Sequence, residues 1–213
     1  MDAAALGRRF LESTRGQILA LLRRGPRTVE DLARALGLTD NAVRNHLSVL
    51  ERDRLVRTEG VRRGGGVGKP AVLYDLQPDA ALLFSRAYPP VLSTVMDVLV
   101  DELPAAQSEE VLREIGRRLA RGAGGRAAGD LDARVGAAAG VLEALGGDVE
   151  VLREDGERRI QGSGCPLSTV VAHRPEVCRA VETMLEEVVG APVESRCEHG
   201  SRPRCRFAIA DAA

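Results

Sequence analysis

The sequence predicts an α+β protein whose helices dominate its first two thirds and whose small C-terminal part holds two hairpins around a helix. Apolar residues recur at helical spacing as far as the Gly146-Gly147 pair, apart from one hairpin near residue 65, and alternate as in strands beyond it. Of the 213 residues, 44% are hydrophobic and only 2% aromatic, so Leu, Val and Ala must fill the core. We expect three segments, 1–76, 77–146 and 147–213.

Three helices are predicted in the first segment. The Gly25-Pro26 pair ends the first helix, and Thr28 with Asp31 forms a capping-box-like start for the second. Thr39 opens the third helix after the turn at Gly37. Two short helices around a glycine turn are typical of a helix-turn-helix.

A basic hairpin follows the third helix. Residues 55–57 and 71–74 are predicted as strands on either side of the basic run 62–70, which forms a wing. Polar side chains on the third helix suit base edges, and basic side chains on the wing suit phosphates or the minor groove. The candidate DNA contacts are Asn41, Arg44, Asn45, Ser48, Arg62, Arg63 and Lys69.

The charge distribution is uneven along the chain. Residues 1–76 carry 14 basic and 9 acidic residues, a charge of +5, and the remainder carries −6. A basic head on an acidic body favours binding of a polyanion. Ordinary solvated faces also produce such local excesses, so the charge alone decides nothing.

Several classes of protein are disfavoured by the sequence. No apolar run approaches the ~18 residues of a membrane span, and the N-terminus lacks the layout of a signal peptide, so we expect a cytoplasmic protein without membrane contact. No Ser/His/Asp grouping or pair of carboxylates indicates an enzyme.

All four cysteines, Cys165, Cys178, Cys197 and Cys205, lie near the C-terminus. A reducing cytoplasm favours metal binding, redox sensing or core packing over structural disulfides. Taken singly, most of them suit a buried core position. A hairpin would nevertheless place Cys197 near Cys205, and the loop of Cys165 could close towards that hairpin. Together they favour a metal or cluster site. Their gaps of 12, 18 and 7 residues lack the C-x2-4-C pairs of structural zinc, so an iron–sulfur cluster suits them as well as zinc.

Two resemblances narrow the interpretation. The run Ala42-Val43-Arg44-Asn45-His46-Leu47 with Gly68-Lys69-Pro70-Ala71 resembles bacterial winged-helix repressors of the broad ArsR/DeoR type. That head, followed by Gly-Cys-Pro, Pro-Glu-Val-Cys, Cys-Glu-His-Gly and Arg-Cys-Arg-Phe, resembles the SufR family of iron–sulfur repressors.

The second resemblance implies a homodimer that binds an inverted-repeat operator in double-stranded DNA and represses cluster-assembly genes while a [4Fe-4S] cluster is bound. It implies ligands among Cys165, Cys178, Cys197 and Cys205. The family's spacing would put the third ligand at Pro192 instead of Cys197, which makes His173 and His199 further candidates. The aliphatic helix around 91–100 would form the dimer interface.

Two other interpretations stay open. The same DNA-binding head could serve a zinc sensor or a thiol redox switch. Alternatively, the chain could be a metal-dependent enzyme or ligand-binding protein whose N-terminal helices serve only for assembly.

Overall fold

The chain folds into two compact units, residues 1–86 and 87–213. The computed structural model describes residues 9–63, 70–85, 87–154 and 156–210. This division differs from the three predicted segments, because the helices of the middle segment pack against the cysteine-containing part.

The first unit combines three helices with a small antiparallel sheet. Its sheet has the order β1-β3-β2, and β2 with β3 forms the predicted wing, so the winged helix-turn-helix is confirmed. The elements are α1 (Thr14–Leu22), β1 (Arg27–Thr28), α2 (Val29–Leu36), α3 (Asp40–Arg52), β2 (Val56–Arg62), β3 (Ala71–Leu76) and a 3-10 turn (Pro78–Phe84).

Local capping fixes where these helices begin and end. The Thr28 hydroxyl accepts a hydrogen bond from the Asp31 amide, and the Asp31 carboxylate accepts one from the Thr28 amide, which completes the predicted capping box. Gly37 ends α2 in the left-handed conformation, with φ of 66°. The Thr39 hydroxyl accepts from the Ala42 amide and starts α3.

An aliphatic core holds the three helices together. Each helix contributes one apolar stripe, and the opposite faces stay exposed. Each fully buried side chain of this size stabilises the fold by roughly 1.5–3 kcal/mol. The members with at most 1% exposure are Ile18, Leu19, Leu22, Leu32, Val43, Leu47 and Leu50.

The second unit packs helices against a four-stranded antiparallel sheet. The sheet order is β4-β5-β7-β6, so pairing of β5 with β7 joins the two predicted hairpins into one sheet. The elements are α4 (Tyr88–Glu102), α5 (Ala105–Gly122), α6 (Leu131–Ala144), β4 (Val149–Glu154), β5 (Glu157–Gly162), α7 (Ser168–Val171), a 3-10 turn (Pro175–Val177), α8 (Cys178–Val189), β6 (Val193–Ser195) and β7 (Arg206–Ala210).

The central helix of this unit is α8. Its buried face includes Met184 and Leu185, which join Phe207 and Ile209 of the sheet in one core cluster. Helix α5 lies so close to α8 that a Cβ on Gly116 would overlap the carbonyl oxygen of Ala180. A second cluster, which contains Met96, Leu112, Val170 and Val177, attaches α4 and α7.

Helix α4 buries only Met96 completely and leaves much of its apolar surface exposed. Within the described parts of the chain, no helix combines the length and the apolar character that crossing a membrane requires.

Candidate functional site

Helix α3 presents one polar face to solvent. Asn41, Arg44, Asn45 and Ser48 are all exposed, whereas Val43, Leu47 and Leu50 on the opposite side are buried. The spacing of i, i+3, i+4 and i+7 places the four polar side chains along a single face. Their amides, guanidinium and hydroxyl can pair with base edges in a major groove.

The wing arginines differ from one another. Arg62 reaches back to the start of α2, where its Nη1 lies 2.9 Å from Asp31 Oδ2 and its Nη2 donates to Thr28 Oγ1 at 3.2 Å. The Asp31 partner leaves the Arg62 side chain 52% exposed, so Arg62 braces the wing and still reaches solvent. Arg63 is exposed at the end of β2, and Lys69 lies outside the described residues.

The four cysteines come from four different parts of the second unit. Cys165 lies in the loop after β5, Cys178 begins α8, Cys197 follows β6, and Cys205 precedes β7. Cys178 and Cys205 are buried, and Cys165 and Cys197 are half-buried. Cys165 and Cys197 pack against both core clusters of the unit, so the thiols lie where these clusters meet.

The thiols lie close enough to shift one another's pKa values. Cys165 interacts in this way with Cys205, Cys205 with Cys197, and Cys197 with Cys178. The backbone explains the middle pair: the Glu198–Arg204 bridge and the bond from the Arg196 amide to the Arg206 carbonyl place Cys197 opposite Cys205.

Additional donors surround the half-buried sulfurs. The Arg206 amide donates to Cys197 Sγ at 3.3 Å, and the Ser195 side chain is also hydrogen-bonded to that sulfur. Hydrogen bonds from Cys178, and then from Cys205, hold the pKa of Cys197 well below its ordinary value. The pKa of Cys165 falls to about 7, because Cys205 donates to it and the Leu167 amide adds a second bond. The donating thiols Cys178 and Cys205 have raised pKa values.

A pocket of about 480 Å³ opens onto one end of this row of thiols. Cys178, Glu182, Ser195 and His199 line it, and His199 Nε2 lies 3.5 Å from Cys178 Sγ. Burial is the main reason why the pKa of Glu182 is raised. Of the two candidate histidines, the structure therefore brings His199 to the thiols, and His173 is exposed shortly after α7.

The donor set fits a thiolate-ligated group. All four cysteines are free, and backbone amides donate to Cys197 and Cys165; by their chemistry, four such sulfurs suit an iron–sulfur cluster or a zinc ion. Among the described side chains, no group of three or more His, Cys, Asp or Glu is arranged to hold a metal ion. A bound group would replace the interactions that the thiols make with one another.

Two side chains at this site, Glu182 and Ser195, are not among the residues that the sequence predicted. Glu182 follows Cys178 by four residues on α8, a spacing that places both on one helix face. Ser195 precedes Cys197 by two residues, which places both on one side of an extended chain. The sequence contains a signal for each residue, because Cys178 and Cys197 are candidate ligands and these spacings place Glu182 and Ser195 beside them.

Comparison with known proteins supports the assignment of the N-terminal unit. Residues 12–58 match the family model described as bacterial regulatory protein, arsR family. A search of curated proteins found no significant match.

Solved structures give low-scoring matches. The adhesin competence repressor AdcR from Streptococcus pyogenes is 23% identical, with 46% of this chain and 72% of that chain covered and a TM-score of 0.30. The C30AH42A mutant of Lactococcus lactis ZitR is 20% identical, with 46% and 66% covered and a TM-score of 0.29. Its apo form is 22% identical, with 52% and 90% covered and a TM-score of 0.30.

The matched residues include all three helices of the first unit and the polar face of α3. Residues 12–58 therefore match the helix-turn-helix of the arsR family of bacterial regulatory proteins.

Proposed function

We propose that the protein is a transcriptional repressor that senses iron–sulfur cluster or redox status and controls cluster-assembly genes. One observation carries this proposal. Four free thiols from four separate elements converge in the second unit of a chain whose first unit is a DNA-binding domain. A convergence of this kind is costly to build for packing alone, because small apolar side chains would fill the same space without polar contacts.

The four cysteines are the proposed ligands of the cluster, which we take to be [4Fe-4S]. The Arg206 and Leu167 amides stabilise negative charge on Cys197 and Cys165, which favours the thiolate form that ligation needs. When bound, such a cluster supplies a centre that is sensitive to oxidation and to iron supply.

The cluster can act on the fold through the elements that carry its ligands. Cys178 begins the central helix α8, and Cys165 and Cys197 touch both core clusters. Ligation therefore ties the loop after β5, helix α8 and the strands β6 and β7 to one another. A regulatory effect requires that the cluster bind one arrangement of the protein better than another.

DNA binding is assigned to α3 and the wing. We propose that two copies form a homodimer, which places two α3 helices on the half-sites of an inverted repeat. The bases are read by Asn41, Arg44, Asn45 and Ser48, and the phosphates are contacted by Arg62, Arg63 and Lys69.

Purification without oxygen tests the cluster directly. The expected sample is brown, absorbs near 400 nm, and contains iron and acid-labile sulfide in matching amounts. Stoichiometric zinc without iron would contradict the cluster and favour a zinc sensor, which the four sulfur donors also suit. A metal-free protein that loses its DNA affinity on mild oxidation would favour a thiol redox switch.

A further inference from the structure

Cys197 and Cys205 occupy opposite positions on two antiparallel stretches of chain. Backbone hydrogen bonds hold the residue pair on either side of them. These bonds run from Glu198 to Arg204 at 3.0 Å, from Arg204 back to Glu198 at 3.0 Å, and from Arg196 to Arg206 at 2.7 Å. Hydrogen-bonded and non-hydrogen-bonded pairs alternate along an antiparallel ladder, so the two cysteines form a non-hydrogen-bonded pair.

This position suits a disulfide between the two side chains. In a non-hydrogen-bonded pair the Cα atoms are about 4.5 Å apart, and both side chains lie on the same face of the sheet. A disulfide requires Cα atoms about 4.4–6.8 Å apart. Cys197 and Cys205 can therefore be linked with no movement of the backbone.

The sulfur of Cys197 is held beside the strand that carries Cys205. The Arg206 amide donates to Cys197 Sγ at 3.3 Å, and the same sulfur donates to the Arg206 carbonyl oxygen at 3.6 Å. An ion pair between Arg206 Nη2 and Glu198 Oε1, 3.2 Å apart, crosses between the two chains at this point. Backbone register and side-chain contacts thus both favour the pair.

The other two cysteines compete for the members of this pair. Cys165 interacts with Cys205, and Cys178 interacts with Cys197. However, Cys165 lies in a loop and Cys178 begins a helix, so strand register fixes neither of them opposite its neighbour. We expect the cross-strand link to form first, because its two Cα atoms are already at the required separation.

We propose that Cys197 and Cys205 form a reversible cross-strand disulfide when the thiol site is empty, and that this link blocks reloading of the cluster. The inference rests on the proposed function, because it treats the thiols as cluster ligands. The link removes two of the four proposed ligands from use. A thiol reductant that opens the disulfide makes the site available again.

A hydroperoxide supplies the oxidising power for this step. Cys197 is half-buried and Cys205 is buried, so hydrogen peroxide reacts first at Cys197. An S–O bond forms and the O–O bond breaks, which leaves a sulfenic acid on Cys197 and releases one water. The sulfur of Cys205 then attacks that sulfur, and the hydroxyl group leaves with the thiol proton of Cys205 as a second water. The two thiols lose two electrons and two protons, and the peroxide becomes two waters.

The disulfide acts on the supply of ligands and leaves the fold in place. The two residues are already opposite each other, so the link does not require α8 or the sheet to move. Oxidised and reduced forms of the cluster-free protein should therefore have the same circular dichroism spectrum. A thiol switch that works by changing the fold would instead give two different spectra.

Peptide mapping identifies which cysteines are linked. Full-length protein is freed of metal with a chelator, reduced, desalted and treated with one equivalent of hydrogen peroxide. Free thiols are alkylated, and trypsin then cuts after Lys and Arg but not before Pro. The cysteines fall in the peptides 160–179, 197–204 and 205–206, so each candidate link has its own mass.

A link between peptides 197–204 and 205–206 as the main product supports the proposal. Three results overturn it: no link, a main link from either peptide to 160–179, or a covalent dimer on a non-reducing gel. Cys178→Ser is the matched control, because it removes a thiol and keeps the pair, and it should form the link within about twofold of the normal rate. Cys165→Ser repeats this control at the other end of the row. Loss of the link in both variants contradicts a disulfide that depends on the strand pair.

Reloading with iron and sulfide tests the consequence. The oxidised protein should take up at least about tenfold less iron than the reduced protein, and dithiothreitol should restore the uptake. Equal uptake by the two forms overturns the block. If the reduced protein takes up no iron either, the proposed function fails, while the linked peptides still show whether the disulfide forms.

Discussion

Cys197 lies opposite Cys205 across the antiparallel strand pair at the end of the C-terminal sheet, between the Arg196–Arg206 and Glu198–Arg204 backbone hydrogen bonds. Cys205 also interacts with Cys165, and Cys197 with Cys178. The cross-strand pair is therefore the centre of the thiol row, with Cys165 on one side of it and Cys178 on the other.

Cys197→Ser should weaken metal binding strongly, although the spacing of the family would put the third ligand at Pro192. Cys197 has the largest effect of any group on the pKa of Cys178, and hydrogen bonds from Cys178 and Cys205 lower the pKa of Cys197 itself. A serine hydroxyl is a poor ligand for iron, so we expect metal affinity to fall at least about tenfold. Iron and sulfide per protein, measured after anaerobic purification and dialysis, check this. Unchanged iron content would show that Cys197 is not a ligand.

His199 should affect the site, whereas His173 should not. His199 Nε2 lies 3.5 Å from Cys178 Sγ at the mouth of the pocket, and His173 is exposed after α7. Loss of a group that contacts a ligand costs about 10- to 100-fold in metal affinity. We expect His199→Ala to speed release of bound metal to a chelator by about tenfold, with His173→Ala as the matched control. Equal rates in the two variants would exclude a role for His199.

Local chemistry explains why the helices could be predicted. The capping box of Thr28 and Asp31, the left-handed Gly37 and the Thr39 cap each depend on neighbours within four residues, and all three occur as predicted. The winged helix-turn-helix follows from these signals. By contrast, β5 pairs with β7, and residues about 50 apart meet at a register that no local pattern encodes.

At the thiol site, too, only contacts between neighbouring strands could be predicted from the sequence. Alternation along the strands indicated that Cys197 and Cys205 would be neighbours, and the structure brings them together. The interaction of Cys178 with Cys197 depends on how α8 packs against the sheet. The contact between Arg62 and Asp31 depends on the pairing of both β1 and β2 with β3. Neither relationship is visible in periodicity, because each depends on side chains from elements distant in sequence.

Variants of the recognition helix should separate base reading from phosphate binding. Arg44 and Asn45 are exposed on the polar face of α3, and a bidentate contact to a base contributes about 1–3 kcal/mol of discrimination. Arg44→Ala should therefore weaken binding to a duplex selected from a random-sequence pool by about tenfold or more.

Arg63→Ala should instead lower the salt dependence, by about 0.9 in the slope of log affinity against log salt. Fluorescence anisotropy at several salt concentrations measures both effects. Arg113→Ala in α5 carries the same charge change outside the DNA-binding unit and serves as the control. If Arg44→Ala and Arg113→Ala bind DNA equally well, α3 does not read the bases.

The Asp31 carboxylate should make the stability of the first unit depend on acid pH. The hydrogen bond from Arg62, followed by that from the Thr28 amide, lowers the pKa of Asp31 well below its ordinary value of 3.8. A lowered pKa in the folded state means that stability is fully present above about pH 4 and is lost as the pH falls below it. Asp31→Asn should cost about 1 kcal/mol at pH 7, and this difference should shrink below pH 4.

Urea unfolding followed by circular dichroism at pH 7, 5 and 3 measures that difference. Glu30→Gln is the neighbouring control, because Glu30 forms an exposed ion pair with Arg34, and its loss should change the stability by less than about 0.5 kcal/mol. If the free energy of unfolding differs between Asp31→Asn and the unaltered protein by the same amount at all three pH values, Asp31 does not cause the pH dependence.

Replacement of Gly116 should destabilise the protein more than replacement of Gly122, the other glycine of α5. Its missing side chain lets α5 lie directly on α8, and a methyl group there would overlap the carbonyl oxygen of Ala180 and come within 2.8 Å of Thr183 Cβ. Gly116→Ala should therefore destabilise the second unit by about 1–3 kcal/mol, despite the higher helix propensity of alanine. Gly122→Ala on the same helix meets nothing within 4 Å and should be neutral or stabilise by up to about 1 kcal/mol. Because α8 begins at Cys178, displacement of α8 by the added methyl group should also lower the iron content of Gly116→Ala. Normal iron content together with normal stability would show that the close approach of α5 and α8 does not support the thiol site.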